Sequence, residues 1–285
     1  MEHPAGGVGL QAAWHLYHRC GELRFQEYPV RKPDFFIVGA PKCGTTAMQH
    51  YLSQHPDIFL PKKEMDFFGS DQRFTRPRCT IEQYLAHFDT PEAKTRRRVG
   101  EKSVFYLYSK RAAYEIRDFA GATDIIIMLR NPVDMLYSLH SHMLRTEGEE
   151  IEDFRAALED ESIRKQRARN NELIISGLFY MEIGKYTDQV KRYFDRFGRE
   201  TVHIIIYDDL KQDAASVYRE TLRFLNIDDR FQPTFKIVNP NKQVRSKTFE
   251  SLLWTLKSNP FGSIARQGNG TPTFASRSSS KTGAA

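Results

Sequence analysis

The segment Asp34-Phe35-Phe36-Ile37-Val38-Gly39 constrains the chain more than any other. A short apolar run that ends in glycine reads as a buried strand, and Thr46 to Leu52 places Met48, Tyr51 and Leu52 on one helical face. Between them lies the short loop Ala40-Pro41-Lys42-Cys43-Gly44-Thr45, so a strand, a tight loop and a helix are expected in succession. Two further runs, TDIIIML at 123–129 and TVHIIIY at 201–207, are too short and too β-branched to favour helix. The intervals carry helical spacing. One helix is expected from Pro132 to Leu144, with proline in its first turn, and another from Ile183 to Phe197. Tyr186, Val190, Tyr193, Phe194 and Phe197 form the core face of the second. Strands alternating with helices imply right-handed crossovers and a sheet covered on both sides, with ligands at the carboxyl ends of its strands.

The loop can be laid on the phosphate-loop pattern G-x-x-x-x-G-K-[ST], with Gly39, Gly44 and Thr46 in place. One position departs from it. Thr45 stands where the triphosphate-gripping lysine belongs, and Lys42 lies earlier in the loop. Backbone N–H groups at a helix start still hold an anion without that lysine. A phosphate-loop nucleotidase commonly ends a neighbouring strand in a magnesium-binding acid. Here the second strand ends instead in Arg130-Asn131-Pro132. Arg130 suits a bidentate phosphate contact, and Ser138, two turns along the following helix, offers a hydroxyl to the same anion. The expected class is therefore α/β, a P-loop-like three-layer fold with a central, mainly parallel sheet flanked by helices. Metal-free binding of a nucleotide carrying two anionic groups follows.

The 285 residues, 40% of them apolar, allow one large domain, placed at 33–257 between an N-terminal extension (1–32) and a low-complexity tail (258–285). Formal charge is +6, which favours anionic partners without separating phosphate cofactors from acidic glycans. The run Lys94, Arg96, Arg97 and Arg98 reads either as a glycan-steering patch or as a solvated loop face. Cys20, Cys43 and Cys79 are unpaired in spacing, and no H-E-x-x-H occurs, so no metal site is expected. No apolar run is long enough for a membrane span, and Met1 to Leu10 lacks a secretory pattern, so a cytoplasmic location is expected. No nucleic-acid partner is implied, and oligomeric state is not written in the sequence.

The loop Gly39 to Thr46 together with Leu129-Arg130-Asn131-Pro132 and Ser138 resembles the sulfotransferases that use 3′-phosphoadenosine 5′-phosphosulfate (PAPS), in the branch of heparan sulfate and related carbohydrate sulfotransferases. Lys63-Glu64-Met65-Asp66-Phe67-Phe68 resembles that branch's K-E-x-x-F-F segment, and Glu101-Lys102-Ser103 its E-K-[ST] segment. Gly184-Lys185-Tyr186 through Tyr207-Asp208-Asp209-Leu210 is similar to the helix and strand that close the fold. The resemblance covers 34–257 and implies sulfuryl transfer from PAPS to a hydroxyl or amine, on a carbohydrate or glycan-like acceptor.

It also implies roles for particular residues. Lys42, Cys43, Gly44, Thr45 and Thr46 hold the 5′-phosphosulfate, while Arg130 and Ser138 hold the 3′-phosphate. Lys42 neutralises charge on the leaving phosphate, Glu64 is the general base, and Lys102 contacts the transferring group. Glu101 either orients that group or makes a structural ion pair. Asp66 stands where some members have histidine, and Lys242, Arg245 and Lys247 suggest the family's C-terminal basic loop. Two other readings stay open at this point: a phosphate-loop kinase or nucleotidase, and a catalytically silent nucleotide- or polyanion-binding protein.

Overall fold

A computed structural model of the chain describes residues 30–236 with the exception of residue 147. The N-terminal extension up to residue 29, the basic residues 242, 245 and 247 and the tail 258–285 lie outside the described residues.

The frame is a five-stranded sheet in the order β2-β3-β1-β4-β5. The strands are β1 (Phe35–Gly39), β2 (Ile58–Phe59), β3 (Arg98–Lys102), β4 (Asp124–Leu129) and β5 (Val202–Ile206). Every pairing is parallel: β1 lies beside β3 and β4, β2 beside β3, and β4 beside β5. Parallel strands are covered on both faces, which is why β1 and the middle of β4 are buried throughout and read as unbroken apolar runs. The sheet grows from β1 first to one side and then to the other. By the right-handed crossover rule, the connecting helices therefore fall on opposite faces. The helices Ala112–Ala120 and Tyr186–Phe197 pack on each other and on the sheet, while α1 (Thr45–Leu52) packs with the helix Ala214–Phe224. The result is an α/β three-layer fold, and the crevice at the carboxyl end of β1 lies where the winding reverses.

Three departures from the sequence reading have local causes. β3 was not expected, because RVGEK carries three charged residues in five positions. The helix expected at 183–197 is two helices, Tyr180–Ile183 and Tyr186–Phe197, interrupted at Gly184 and Lys185. Its apolar stripe does face inward, with Tyr193 and Phe197 buried and Tyr186, Val190 and Phe194 packed against the core. The third departure concerns the basic run. Arg98 opens β3, and its guanidinium bonds Asp34 at 2.6 Å, Asp124 at 2.6 Å and the Leu225 carbonyl at 2.7 Å. Arg96 donates to the Pro56 carbonyl and Lys94 pairs with Asp89. These residues sit at the amino end of the sheet, away from the carboxyl-end crevice. There Arg98 and Arg96 tie strand starts together, which suits a structural reading of those two residues better than glycan steering at the crevice.

Candidate functional site

The loop after β1 is shaped by its backbone. Gly44 caps α1 in the left-handed region, φ +86°, where a Cβ would stand 3.0 Å from the Tyr207 ring. Its carbonyl accepts the first helical bonds, from the N–H groups of Ala47 and Met48. The amides just before them are left at the free positive end of the helix. Lys42 also has positive φ, 61°, a conformation that costs a non-glycine residue roughly 1–2 kcal/mol. Such strain is held where a loop must turn its amides toward one point.

The carboxyl ends of the other strands converge on this loop. Beyond β4, Asn131 Oδ1 accepts the N–H groups of Val133 and Asp134 and caps the helix Pro132–Thr146. Capping is thus Asn131's task, and Arg130 is left to lie with its guanidinium 4.9 Å from the Tyr207 ring centroid, just past β5. Lys211 lies 5.5 Å from the same ring. Ser138 is buried on the following helix. A cleft of about 880 Å³ is lined by Lys42, Gly44, Thr45, Thr46, Arg130 and Ser138, and by Glu64 and Asp66.

Lys42 is the electrostatic centre. Burial, then the like charges of Arg145 and Arg130, lowers its pKa below the usual ammonium value, and Glu64 opposes them. Three cations crowd one point in a partly dry cleft, an arrangement that an incoming anion relieves. Cys43 differs from its neighbours. Its side chain is buried, its Sγ donates to the Pro41 carbonyl at 3.3 Å, and burial pushes the thiol up to about 12. Only its main chain can serve an anion in the loop.

Glu64 is held from behind. Its Oε1 lies 2.6 Å from Lys102 Nζ, and its Oε2 accepts the Val104 N–H at 3.3 Å. Lys102 is 3% exposed, does not line the cleft, and its ammonium pairs with the Glu64 carboxylate. Glu101 makes no ion pair with Lys102. It is fully buried and accepts from Ser103 Oγ at 2.7 Å, Tyr106 OH at 2.9 Å and Tyr84 OH at 3.0 Å. Those first two hydroxyls accept in turn from the backbone N–H groups of Met65, Asp66, Phe67 and Phe68. Glu101 therefore anchors the segment that presents Glu64. Burial raises its pKa to about 7 against the lowering effect of the three hydroxyls.

The sequence reading missed His142 and Arg76, both in the cleft lining, and Arg145 behind His142. His142 follows Ser138 by four positions on one helix, so the i, i+4 rule places both on one face and was a usable signal. Burial first, then Lys42 and Arg145, lowers its pKa to about 4, and the imidazole is neutral at pH 7. Arg76 ion-pairs with Asp66 and donates to the Glu64 carbonyl at 3.2 Å, contacts that no local pattern announces. Among the described residues no group of three or more His, Cys, Asp or Glu is placed to hold a metal ion, and no helix is long and apolar enough to cross a membrane.

Comparison with known proteins adds independent findings. The family model described as "Sulfotransferase domain" matches residues 32–250. The chain is 25% identical over 219 residues to "Bifunctional heparan sulfate N-deacetylase/N-sulfotransferase 1" of Caenorhabditis elegans, covering 74% of this chain and 24% of that protein. It is 28% identical over 199 residues to "Bifunctional heparan sulfate N-deacetylase/N-sulfotransferase 3" of Homo sapiens, covering 69% of this chain and 22% of that protein. The chain thus spans about a quarter of the length of these curated relatives. Among solved structures, a sulfotransferase from Alicyclobacillus acidocaldarius is 35% identical, with TM-score 0.65, covering 81% of this chain and 93% of that one.

Proposed function

The chain belongs to the sulfotransferase family, and from that premise we propose that its cleft transfers a sulfuryl group from PAPS to a hydroxyl or amine of a carbohydrate acceptor. One observation carries the donor half of this reading: Lys42 and Arg130 converge on the free amino end of α1 with Arg145 close enough to depress the Lys42 pKa. A doubly anionic nucleotide fits that charge. The amides of Cys43 to Thr46 and the Lys42 ammonium suit its 5′ side, and Arg130 with Ser138 suits its 3′-phosphate. The donor supplies a sulfuryl group on a phosphate leaving group. Lys42 is placed to neutralise charge that grows on that phosphate as the bond to sulfur breaks.

Glu64 accepts the proton that the acceptor loses. A carboxylate is suited to this because Lys102 and the Val104 N–H fix its orientation while part of it faces the cleft. The carbohydrate class of the acceptor is supported by the relatives named above, which are heparan sulfate enzymes by name.

Calorimetry with adenosine 3′,5′-bisphosphate in the presence of a chelator tests the donor half. Arg130→Ala should lose about 1.5–3 kcal/mol of binding, the worth of a charge-assisted phosphate contact. Glu64→Gln should bind the nucleotide as the wild type does while transfer falls by about 10²-fold or more. Equal nucleotide affinity in wild type and Arg130→Ala would refute the phosphate assignment. Wild-type turnover by Glu64→Gln would remove the base.

A further inference from the structure

The segment that carries Glu64 has no helix or strand to satisfy its backbone. Residues 64–69 are irregular chain, yet Met65, Asp66, Phe68 and Gly69 are buried. Buried main-chain groups need partners. The amides are met in series from outside the segment. Ser103 Oγ takes the N–H groups of Met65 and Asp66, Tyr106 OH those of Phe67 and Phe68, and the Glu115 carboxylate those of Gly69 and Ser70.

One residue meets the carbonyls. Arg78 Nη1 donates to the carbonyls of Asp66 at 2.7 Å, Phe67 at 3.2 Å and Phe68 at 3.0 Å, and its Nη2 donates to that of Gly69 and, at 2.8 Å, to that of Gln72. The guanidinium also lies 5.6 Å from the Phe74 ring centroid. It thereby ties the beginning of a loop to its end. Both ends face the cleft, Glu64 and Asp66 from one and Phe74, Thr75 and Arg76 from the other, whereas Arg78 does not line it. A planar fork with protons on separate nitrogens can serve two sets of carbonyls at once. An ammonium, with every proton on one atom, cannot.

We infer that Arg78 is a positioning residue for sulfuryl transfer, which fixes the Glu64 carboxylate and the Phe74 edge of the cleft in one frame. This rests on the reading of Glu64 as the base. Lys102 and the Val104 N–H hold only the carboxylate group of Glu64, and the main chain that follows it is held by the hydroxyls and by Arg78. That main chain is under constraint: Asp66 has φ 47°, a left-handed conformation that a non-glycine residue keeps only where its surroundings impose it. Without the fork, four consecutive carbonyls from Asp66 to Gly69 lose their donor, and the segment must shift to reach water. Moving a base by about 1 Å is enough to cost up to about 10²-fold in rate. The nucleotide should not sense this change, because the anion loop, Arg130 and Ser138 stand on other elements.

The test measures adenosine 3′,5′-bisphosphate formed from PAPS by the whole chain, with water alone and with N-deacetylated heparosan as acceptor. Wild type, Arg78→Lys, Arg78→Met, Glu64→Gln and the double variant Glu64→Gln/Arg78→Lys are compared, and the nucleotide affinity of each is measured by calorimetry. Arg78→Lys keeps the charge and is the deciding variant. It should lose about tenfold or more in kcat with nucleotide affinity changed less than about twofold, and Arg78→Met should lose at least as much. On the Glu64→Gln background the same change should alter the residual rate by less than about twofold, because a residue that acts through the base has nothing further to lose once the base is gone. Hydrogen exchange at the amides of 65–70 should quicken by about tenfold or more in Arg78→Lys, while that of the helix Tyr186–Phe197 stays as in the wild type. Wild-type turnover by Arg78→Lys, an equal loss on both backgrounds, or a nucleotide affinity that falls in step with its rate, each overturns the inference. Wild-type turnover by Glu64→Gln, or no product from PAPS with either acceptor, overturns instead the reading on which it rests.

Discussion

Replacing Glu101 with glutamine isolates one buried charge. The carboxyl is fully buried, three hydroxyls donate to it, and burial nonetheless raises its pKa from 4.5 to about 7. A carboxyl raised in this way keeps its proton in the fold at pH values where the unfolded chain has lost it. Its contribution is therefore fully present below 4.5 and is lost as pH rises through about 7. At about 1.4 kcal/mol per pH unit, the interval between those two values amounts to about 3 kcal/mol.

Glutamine keeps the size and one acceptor oxygen but cannot ionise. Urea unfolding of wild type and Glu101→Gln at pH 5 and pH 8 reads the difference directly. Most of the interval lies between those pH values, so the variant should gain about 2–3 kcal/mol on the wild type over that range, with equal m values. A stability difference that is the same at both pH values would refute the reasoning, because it would mean that Glu101 holds its proton no more tightly folded than unfolded.

Two further outcomes follow from the geometry. Arg164 is 5% exposed and bonds Glu149 at 2.8 and 3.0 Å and Asp160 at 2.8 Å, so Arg164→Met should cost about 3–5 kcal/mol by leaving a buried carboxylate unpaired; a loss under about 1 kcal/mol in urea unfolding would contradict this. His142, lowered to about 4 from 6.5 by burial and by Lys42 and Arg145, should show nearly flat ring-carbon NMR shifts from pH 5 to pH 8, and any stability its neutral form adds is fully present above 6.5 and is lost progressively as pH falls from 6.5 toward 4; a midpoint near 6.5 would show that neither burial nor the cations act on it.

β1, β4 and β5 were legible because strands covered on both faces need apolar residues at nearly every position. β3 was not, since each of its charges is acceptable only beside a partner farther off in sequence: Arg98 beside Asp34 and Asp124, Glu101 beside Tyr84, Lys102 beside Glu64. The break at Gly184 and Lys185 hid behind an apolar stripe that runs through it. Lys102 shows the same limit in the site. Its motif was visible, but whether its ammonium faces a ligand or a carboxylate 38 positions earlier depends on where two strands end.

By itself the sequence determined the strand, the glycine-turned loop and the helix of the anion cradle, because backbone sterics and helix ends act over a few residues. It also placed Arg130 and Ser138 at one cleft, since both follow a single strand by fixed spacing. Only the tertiary structure decided that Lys102 pairs with Glu64, that Glu101 is a fully buried carboxyl held by three hydroxyls, and that the basic run at 94–98 belongs to the amino end of the sheet. Those outcomes depend on which strand ends share one edge of a parallel sheet, and strand order is set by long-range packing that no local pattern encodes.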